Sequence, residues 1–115
     1  IKYYDRSTNI TRVEPGNNQA LVRWQDVEAG FYNIYFGTNP DSLALFRSVS
    51  GAVHEIVIDG LENDRLYYFR VESVVGGYPQ LPSRIVMAIP FNASTVMPGA
   101  VYGQTIFGQG TYQNG

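Results

Sequence analysis

Histidine, serine and acidic side chains are the residues of this chain that could support acid, base or nucleophilic catalysis. His54 is the single histidine, and it falls in an alternating apolar segment at a position expected to face the interior. No Gly-x-Ser-x-Gly motif places a serine nucleophile where a base could activate it. The sequence therefore predicts a structural role for His54 and no catalytic residue.

The acidic residues and glycines predict no metal or cofactor site either. Glu62 and Asp64 fall in a predicted turn, where solvated carboxylates are common. One histidine and no cysteine cannot form a histidine cluster or a thiolate metal site. The glycine pair at 108 and 110 lacks the third glycine and the strand-to-helix context of a dinucleotide loop. We expect a protein that is not an enzyme and has no cofactor.

Charge and length exclude other classes of function. The net charge is -2, and the single lysine and the scattered arginines form no basic patch that could neutralise nucleic-acid phosphates. No stretch approaches the roughly 18 apolar residues of a membrane span. The chain starts at Ile1, so we expect a processed product or a piece of a longer protein. Its 115 residues suit one domain with short arms.

The pattern of apolar residues along the chain is that of β-strands. Apolar and polar residues alternate with period two, and turn residues separate the segments. Seven strands are predicted, at residues 10–13, 20–24, 31–36, 42–49, 54–59, 66–74 and 84–89. Short strands at this spacing predict an all-β antiparallel sandwich.

Three residues make this sandwich resemble the fibronectin type III family. Leu61 precedes Tyr67 by six residues, which resembles the tyrosine-corner signature of that family, and Trp24 ends the second strand as it does there. Asn63 departs from the pattern, because the family usually has proline at this position. The resemblance covers residues 10–90 and implies a seven-stranded Ig-like sandwich. It leaves residues 1–9 as an N-terminal arm and residues 91–115 as an extended C-terminal arm.

Exposed aromatic residues are the first candidate interaction site. On the outward faces of the third and sixth strands, an apolar group is expected that could contact protein or sugar. Its members are Phe31, Tyr35, Leu66 and Tyr68, with Tyr78 in the following loop as a further candidate. The alternative is that these side chains stack on their cross-strand neighbours or are covered by the arms, and that Tyr78 only packs within its turn. Asn9 and Asn92 fit the N-glycosylation pattern.

The C-terminal arm is the second candidate. No residue after Arg84 is charged, and an aromatic residue recurs every five positions in the glycine-rich region from 98 onward. A period of five fits neither helix nor strand, and the segment has too few large apolar groups to fold alone. We expect it to cross to a neighbouring subunit and add strands there, by β-augmentation. The alternative is that it folds back on its own sandwich. The anchoring residues are expected to be Tyr102, Ile106, Phe107 and Tyr112.

These features together favour a structural or adhesion module on a larger assembly, held by its C-terminal arm. The Tyr-Gly repeats resemble those of bacteriophage structural proteins, so a virion decoration or tail protein is the preferred setting. Protein subunits are the expected partners, in a homo-oligomer or with capsid or tail proteins, and surface glycans are possible ligands. The expected location is extracellular or on a virion surface. The alternative is an accessory spacer or weak carbohydrate-binding module of a secreted bacterial enzyme.

Overall fold

The computed structural model describes residues 6–93, and β-strands make up its regular structure. In chain order the strands are β1 (Ile10–Gly16), β2 (Gln19–Trp24), β3 (Phe31–Gly37), β4 (Ala44–Ser50), β5 (Glu55–Ile58), β6 (Tyr67–Val75), β7 (Tyr78–Pro79) and β8 (Val86–Ala88). Within residues 6–93, no helix has the length and apolar character needed to span a membrane.

The strands form two antiparallel sheets that enclose one core. One sheet has the order β1-β2-β5, and the other has the order β4-β3-β6 with β7 and β8 each paired to β6. The prediction of an all-β antiparallel sandwich is confirmed. The structure has one strand more than predicted, because β7 forms within the segment 76–82 that was expected to be a loop.

Two glycines explain the additional strand. Gly76 and Gly77 have φ of 58° and 83°, and they connect the paired residues Val75 and Tyr78. Positive φ at both central residues is what a type I′ turn needs, and glycine adopts it without steric cost. The chain therefore returns along β6 directly after β6 ends.

The core lies between the sheets and consists of the inward-facing residues of the alternating strands. The buried Trp24 and Tyr32 rings lie 5.6 Å apart near one end of it. Full burial of a large apolar side chain contributes about 1.5–3 kcal/mol to the stability of a fold, so the buried side chains together hold the two sheets in contact. The other large buried residues are Ile10, Val22, Ile34, Ile56, Ile58, Leu61, Tyr67, Phe69, Val71, Val74 and Val86.

Tyr67 forms the tyrosine corner that the resemblance implied. Its hydroxyl accepts the backbone N–H of Glu62 at 2.9 Å. Asn63, which stands where the family has proline, accepts the N–H of Asn18 at 2.8 Å through its side-chain oxygen. The Asn18 side chain in turn donates to the Leu61 carbonyl at 2.9 Å. Hydrogen bonds to the β1–β2 turn therefore stabilise this corner.

A second buried tyrosine makes the same kind of contact at the opposite end of the sandwich. The hydroxyl of Tyr32 accepts the N–H of Val27 at 3.0 Å, again from a residue five positions upstream. Tyr32 pairs with Ser73 on β6, six residues along that strand from Tyr67. This second corner was not predicted, and together the two tyrosines fix one loop at each end.

The segments that flank the sandwich pack against it. Thr8 is buried and donates to the Gln25 carbonyl at 2.6 Å. After β8, the backbone N–H of Phe91 donates to the Gly16 carbonyl at 3.1 Å. The boundaries between sandwich and arms stay a prediction. Residues 1–5 and the predicted anchoring residues Tyr102, Ile106, Phe107 and Tyr112 lie outside the described residues.

Candidate interaction site at the open edge of the sandwich

His54, the single histidine of the chain, lies beside a carboxylate and a buried phenol. Its Nε2 is 3.3 Å from Asp26 Oδ1, and its ring is 5.9 Å from the Tyr32 ring in an edge-on arrangement. Asp26 also accepts the N–H of Glu28 at 2.8 Å, and this bond is the main reason that its pKa is lowered. These contacts order the loop between β2 and β3, and neither neighbour supplies a serine or threonine hydroxyl.

The acidic residues of the predicted turn do not converge. Glu62 forms an exposed ion pair with Arg65 at 3.1 Å. Asp64 adopts a positive φ of 66°, and its backbone N–H donates to the Pro90 carbonyl. Over residues 6–93, no three histidine or acidic side chains come close enough together to hold a metal ion.

The predicted aromatic face is divided by polar side chains. Tyr35 donates to Glu72 at 3.2 Å, Asn33 donates to the same carboxylate oxygen at 3.0 Å, and the Arg70 guanidinium lies 4.8 Å from the centre of the Tyr35 ring. Burial, followed by the charge of Glu72, raises the pKa of the Tyr35 hydroxyl. Tyr35 therefore belongs to a polar network on the outer surface of its sheet.

The structure separates the five candidate residues along the sheet. Phe31 pairs with Val74 at one end of β3, and Tyr68 pairs with Gly37 at the other, about 20 Å away at strand spacing. Tyr78 is 75% exposed, but it pairs with Val75 and so faces the side opposite to Phe31. Leu66 is half-buried at the start of β6. The role of these residues in binding stays a prediction.

An exposed apolar stripe runs along β8 instead. Ile85, Met87, Ile89 and Phe91 occupy alternate positions and are 38%, 55%, 49% and 41% exposed. We call these four residues the β8 stripe. The intervening Val86, Ala88 and Pro90 are buried, as the two faces of a strand require. Tyr68 pairs with Met87, so one predicted residue lies beside the stripe.

The stripe borders an open edge of the sandwich. Within the described residues, β1 pairs only with β2 and β8 pairs only with β6. The Arg84 guanidinium reaches the Ile10 carbonyl at 3.0 Å, and Phe91 reaches Gly16, so β1 and β8 run side by side in the same direction. Between them residues 10–13 and 84–87 line a groove of about 380 Å³, the β1–β8 groove.

The two borders of the groove differ in charge. Arg12 and Glu14 form an ion pair on β1, and a register shift lies between Ile10 and Arg12. Charges and bulges of this kind protect exposed strand edges from pairing with other chains. From position 85 onward the β8 border has no charged residue at all. An uncharged, exposed apolar surface of this kind is typical of a protein contact site.

Solved structures show which fold this is, although no protein-family model and no curated protein sequence matches the chain. The sixth fibronectin type III domain of human fibronectin type III domain containing protein 3 is similar with a TM-score of 0.70 and 18% identity, over 86% of this chain and 97% of that one. The β-1,2-glucanase of Parabacteroides distasonis gives a TM-score of 0.70 and 12% identity, over 76% of this chain and 13% of the glucanase.

A further similar structure is the pectate lyase PelI of Erwinia chrysanthemi, with a TM-score of 0.63 and 18% identity. The match covers 73% of this chain and 28% of the lyase. The chain thus spans a small part of either enzyme and almost the full length of the human domain. The described part of the chain has the fibronectin type III fold.

Proposed function

We propose that this protein is a non-catalytic structural module of a larger assembly, and that its uncharged C-terminal arm anchors it to a neighbouring subunit. The observation that carries the proposal is the open edge between β1 and β8. The β8 stripe leaves apolar side chains in water along a strand that, within the described residues, pairs only with β6. Exposed apolar surface of this kind marks an interaction site.

The position where the described chain ends supports the same proposal. The backbone of Phe91 is bonded to Gly16, at one end of the β1–β8 groove. The residues that follow, 94–115, contain no charge, so they could be buried against a neighbour without desolvating an unpaired ion. Neither His54 nor the turn acids offer a competing catalytic function.

Light scattering tests this proposal directly. The full chain is compared with a chain that ends at residue 93, which keeps every described residue. We expect the full chain to assemble and the shorter chain to be a folded monomer. If both chains are monomers across the same concentration range, then anchoring to further copies of this chain is refuted. If both assemble, the sandwich itself forms the contact and the arm is not the anchor.

The setting that we propose for this assembly is a virion, with the protein on its surface as a decoration or tail component. The support is the recurrence of an aromatic residue followed by glycine in the arm, at Tyr102-Gly103 and Phe107-Gly108, which resembles the repeats of bacteriophage structural proteins. Capsid or tail proteins would then be the partners. Mixing the full chain with purified particles and measuring its cosedimentation tests this setting, with the chain ending at residue 93 as the control.

A second setting is favoured by a different observation. The fold recurs as a small part of a β-1,2-glucanase and of pectate lyases, as expected for an accessory module of a secreted polysaccharide-degrading enzyme. The corresponding test is an NMR titration with tetragalacturonic acid and with a β-1,2-glucan oligosaccharide. Shifts at Tyr35 and Tyr68 would support a sugar contact, whereas unchanged spectra would leave only the spacer role.

A further inference from the structure

We infer that the outer face of the sheet that contains β3 and β6 binds acidic sugars, with Arg70 pairing with the carboxylate of a uronic acid unit and Tyr68 packing against its ring. The inference rests on the second setting proposed above, an accessory module that contacts polysaccharide, and it names the class of sugar. Two features carry it: the guanidinium of Arg70 has no acceptor among the described residues, and the groups around it suit a sugar.

Arg70 is a half-buried cation on the outer face of β6. It lies opposite Tyr35 on β3, and its guanidinium carbon is 4.8 Å from the centre of the Tyr35 ring. Its Nε is buried without a hydrogen-bond acceptor, and its guanidinium forms no ion pair with any residue of 6–93. Because buried donors nearly always have an acceptor, this arginine is available to an anion that the described residues do not supply.

Glu72, two residues further along the same face of β6, is already bound by other donors. Tyr35 donates to Glu72 Oε1 at 3.2 Å, and Asn33 donates to the same oxygen at 3.0 Å. Since Glu72 balances the charge of Arg70, the site selects its ligand by hydrogen-bond geometry and not by net charge. Arginine binds a carboxylate through two parallel N–H···O bonds, which a hydroxyl cannot match. A carboxylate is therefore the expected partner of Arg70.

The surroundings of Arg70 favour a sugar over a protein side chain. Tyr68 is half-buried on the same face of β6, about 7 Å from Arg70 at strand spacing. Its ring offers an apolar surface to the C–H face of a sugar ring. On the other side, Asn33 pairs with Ser48 across β3 and β4, so sugar hydroxyls would meet polar groups there. Glutamate and serine are depleted in protein interfaces, yet Glu72 and Ser48 both lie on this face.

Calorimetric titration of the full-length protein with tetragalacturonic acid tests the inference. The matched ligand is its fully methyl-esterified form, which has the same sugar backbone and no free carboxylate. The matched variants are Arg70→Gln and Arg47→Gln, because each guanidinium carbon lies 4.8 Å from the centre of an aromatic ring, that of Tyr35 for Arg70 and that of Phe46 for Arg47. Arg70→Lys keeps the charge but removes the two-point contact. Urea denaturation checks that each variant folds, and the ester comparison needs no variant.

We expect the Kd for the acid to rise at least about tenfold in Arg70→Gln, less in Arg70→Lys and not at all in Arg47→Gln, because only position 70 loses a charge-assisted contact. The ester should bind the wild type as weakly as the acid binds Arg70→Gln. Equal binding of acid and ester, or binding of a β-1,2-glucan oligosaccharide alone, would overturn the inference and leave the accessory-module setting intact. If no sugar binds, the inference and the sugar contact of that setting both fail. If, in addition, Arg70→Gln weakens assembly in light scattering, the carboxylate belongs to a protein partner.

Discussion

Replacing Tyr67 by phenylalanine tests whether the tyrosine corner holds the sandwich together. The substitution removes the hydroxyl that accepts the Glu62 N–H at 2.9 Å. It keeps the aromatic ring, whose centre lies 6.4 Å from that of Phe36. Because the ring stays buried, the change isolates one hydrogen bond from the surrounding packing.

The expected loss of stability follows from the surroundings of that bond. A buried donor left without an acceptor costs about 1–3 kcal/mol. Glu62 is exposed, so water can partly reach its N–H, and the lower part of that range applies. We therefore expect the free energy of unfolding to fall by about 1–2 kcal/mol, which corresponds to a decrease in Tm of roughly 5–15 °C for a domain of this size.

Urea denaturation and thermal unfolding of the full-length protein measure this difference. Tyr68→Phe is the matched control, because Tyr68 lies on the outer face and its hydroxyl makes no hydrogen bond with the described residues. Tyr32→Phe should cost a similar amount, and its effect should add to that of Tyr67→Phe since the two corners are far apart. A change at Tyr67 no larger than that at Tyr68 would refute the role assigned to the corner.

Three further substitutions test other parts of the structure. Tyr35→Phe should reduce the fall in the free energy of unfolding at alkaline pH. Burial and the charge of Glu72 raise the pKa of Tyr35 in the folded state. The stability that this shift contributes is present below the unfolded pKa of about 10 and is lost as the pH rises through the folded pKa. Denaturation at several pH values above neutrality measures this, and an unchanged slope would contradict it. Asp26→Asn should reduce the fall in the free energy of unfolding at acidic pH. The lowered pKa of Asp26 contributes stability above the unfolded pKa of about 3.9, and this stability is lost as the pH falls through the folded pKa. If the variant and the wild type lose stability equally between neutral and acidic pH, the prediction is wrong. Gly51→Ala should lower the free energy of unfolding by roughly 1–3 kcal/mol, because the added Cβ would collide with the backbone carbonyl of Ala29. Wild-type stability in urea denaturation would show that this loop relaxes freely.

The sandwich could be predicted from the sequence because the alternation of apolar and polar residues in each strand shows which face of that strand is buried. On β2, Ala20, Val22 and Trp24 were expected to share a face, and all three are buried. On β6, the same alternation extends from Tyr67 through Phe69 to the buried residues beyond. A period of two is a local property, so it can be seen before the partners of a strand are known.

The candidate site could not be predicted from the sequence, because it depends on how the strands pair and pack with segments distant in the chain. Residues 85–89 are all apolar, which is typical of a strand buried on both faces. In the structure one face of β8 points to solvent instead, because no second layer covers the outer side of its sheet within the described residues. In the same way, the polar network of Glu72 divides the predicted aromatic face because β3 and β6 pair in one particular register. A signal for β7 was present, since two consecutive glycines between apolar residues predict a tight hairpin.

The open edge also suggests why the uncharged stretch begins where it does. Charge disappears from the sequence at position 85, before the arm leaves the sandwich and at the first residue of the β8 stripe. A charged side chain on the outer face of β8 would oppose an apolar contact there, because the charge would lose its hydration without gaining a partner. The β8 stripe and the arm must therefore both be free of charged residues. In the proposed assembly, the missing charges keep the β8 stripe available for an apolar contact and let the arm be buried without an unpaired ion.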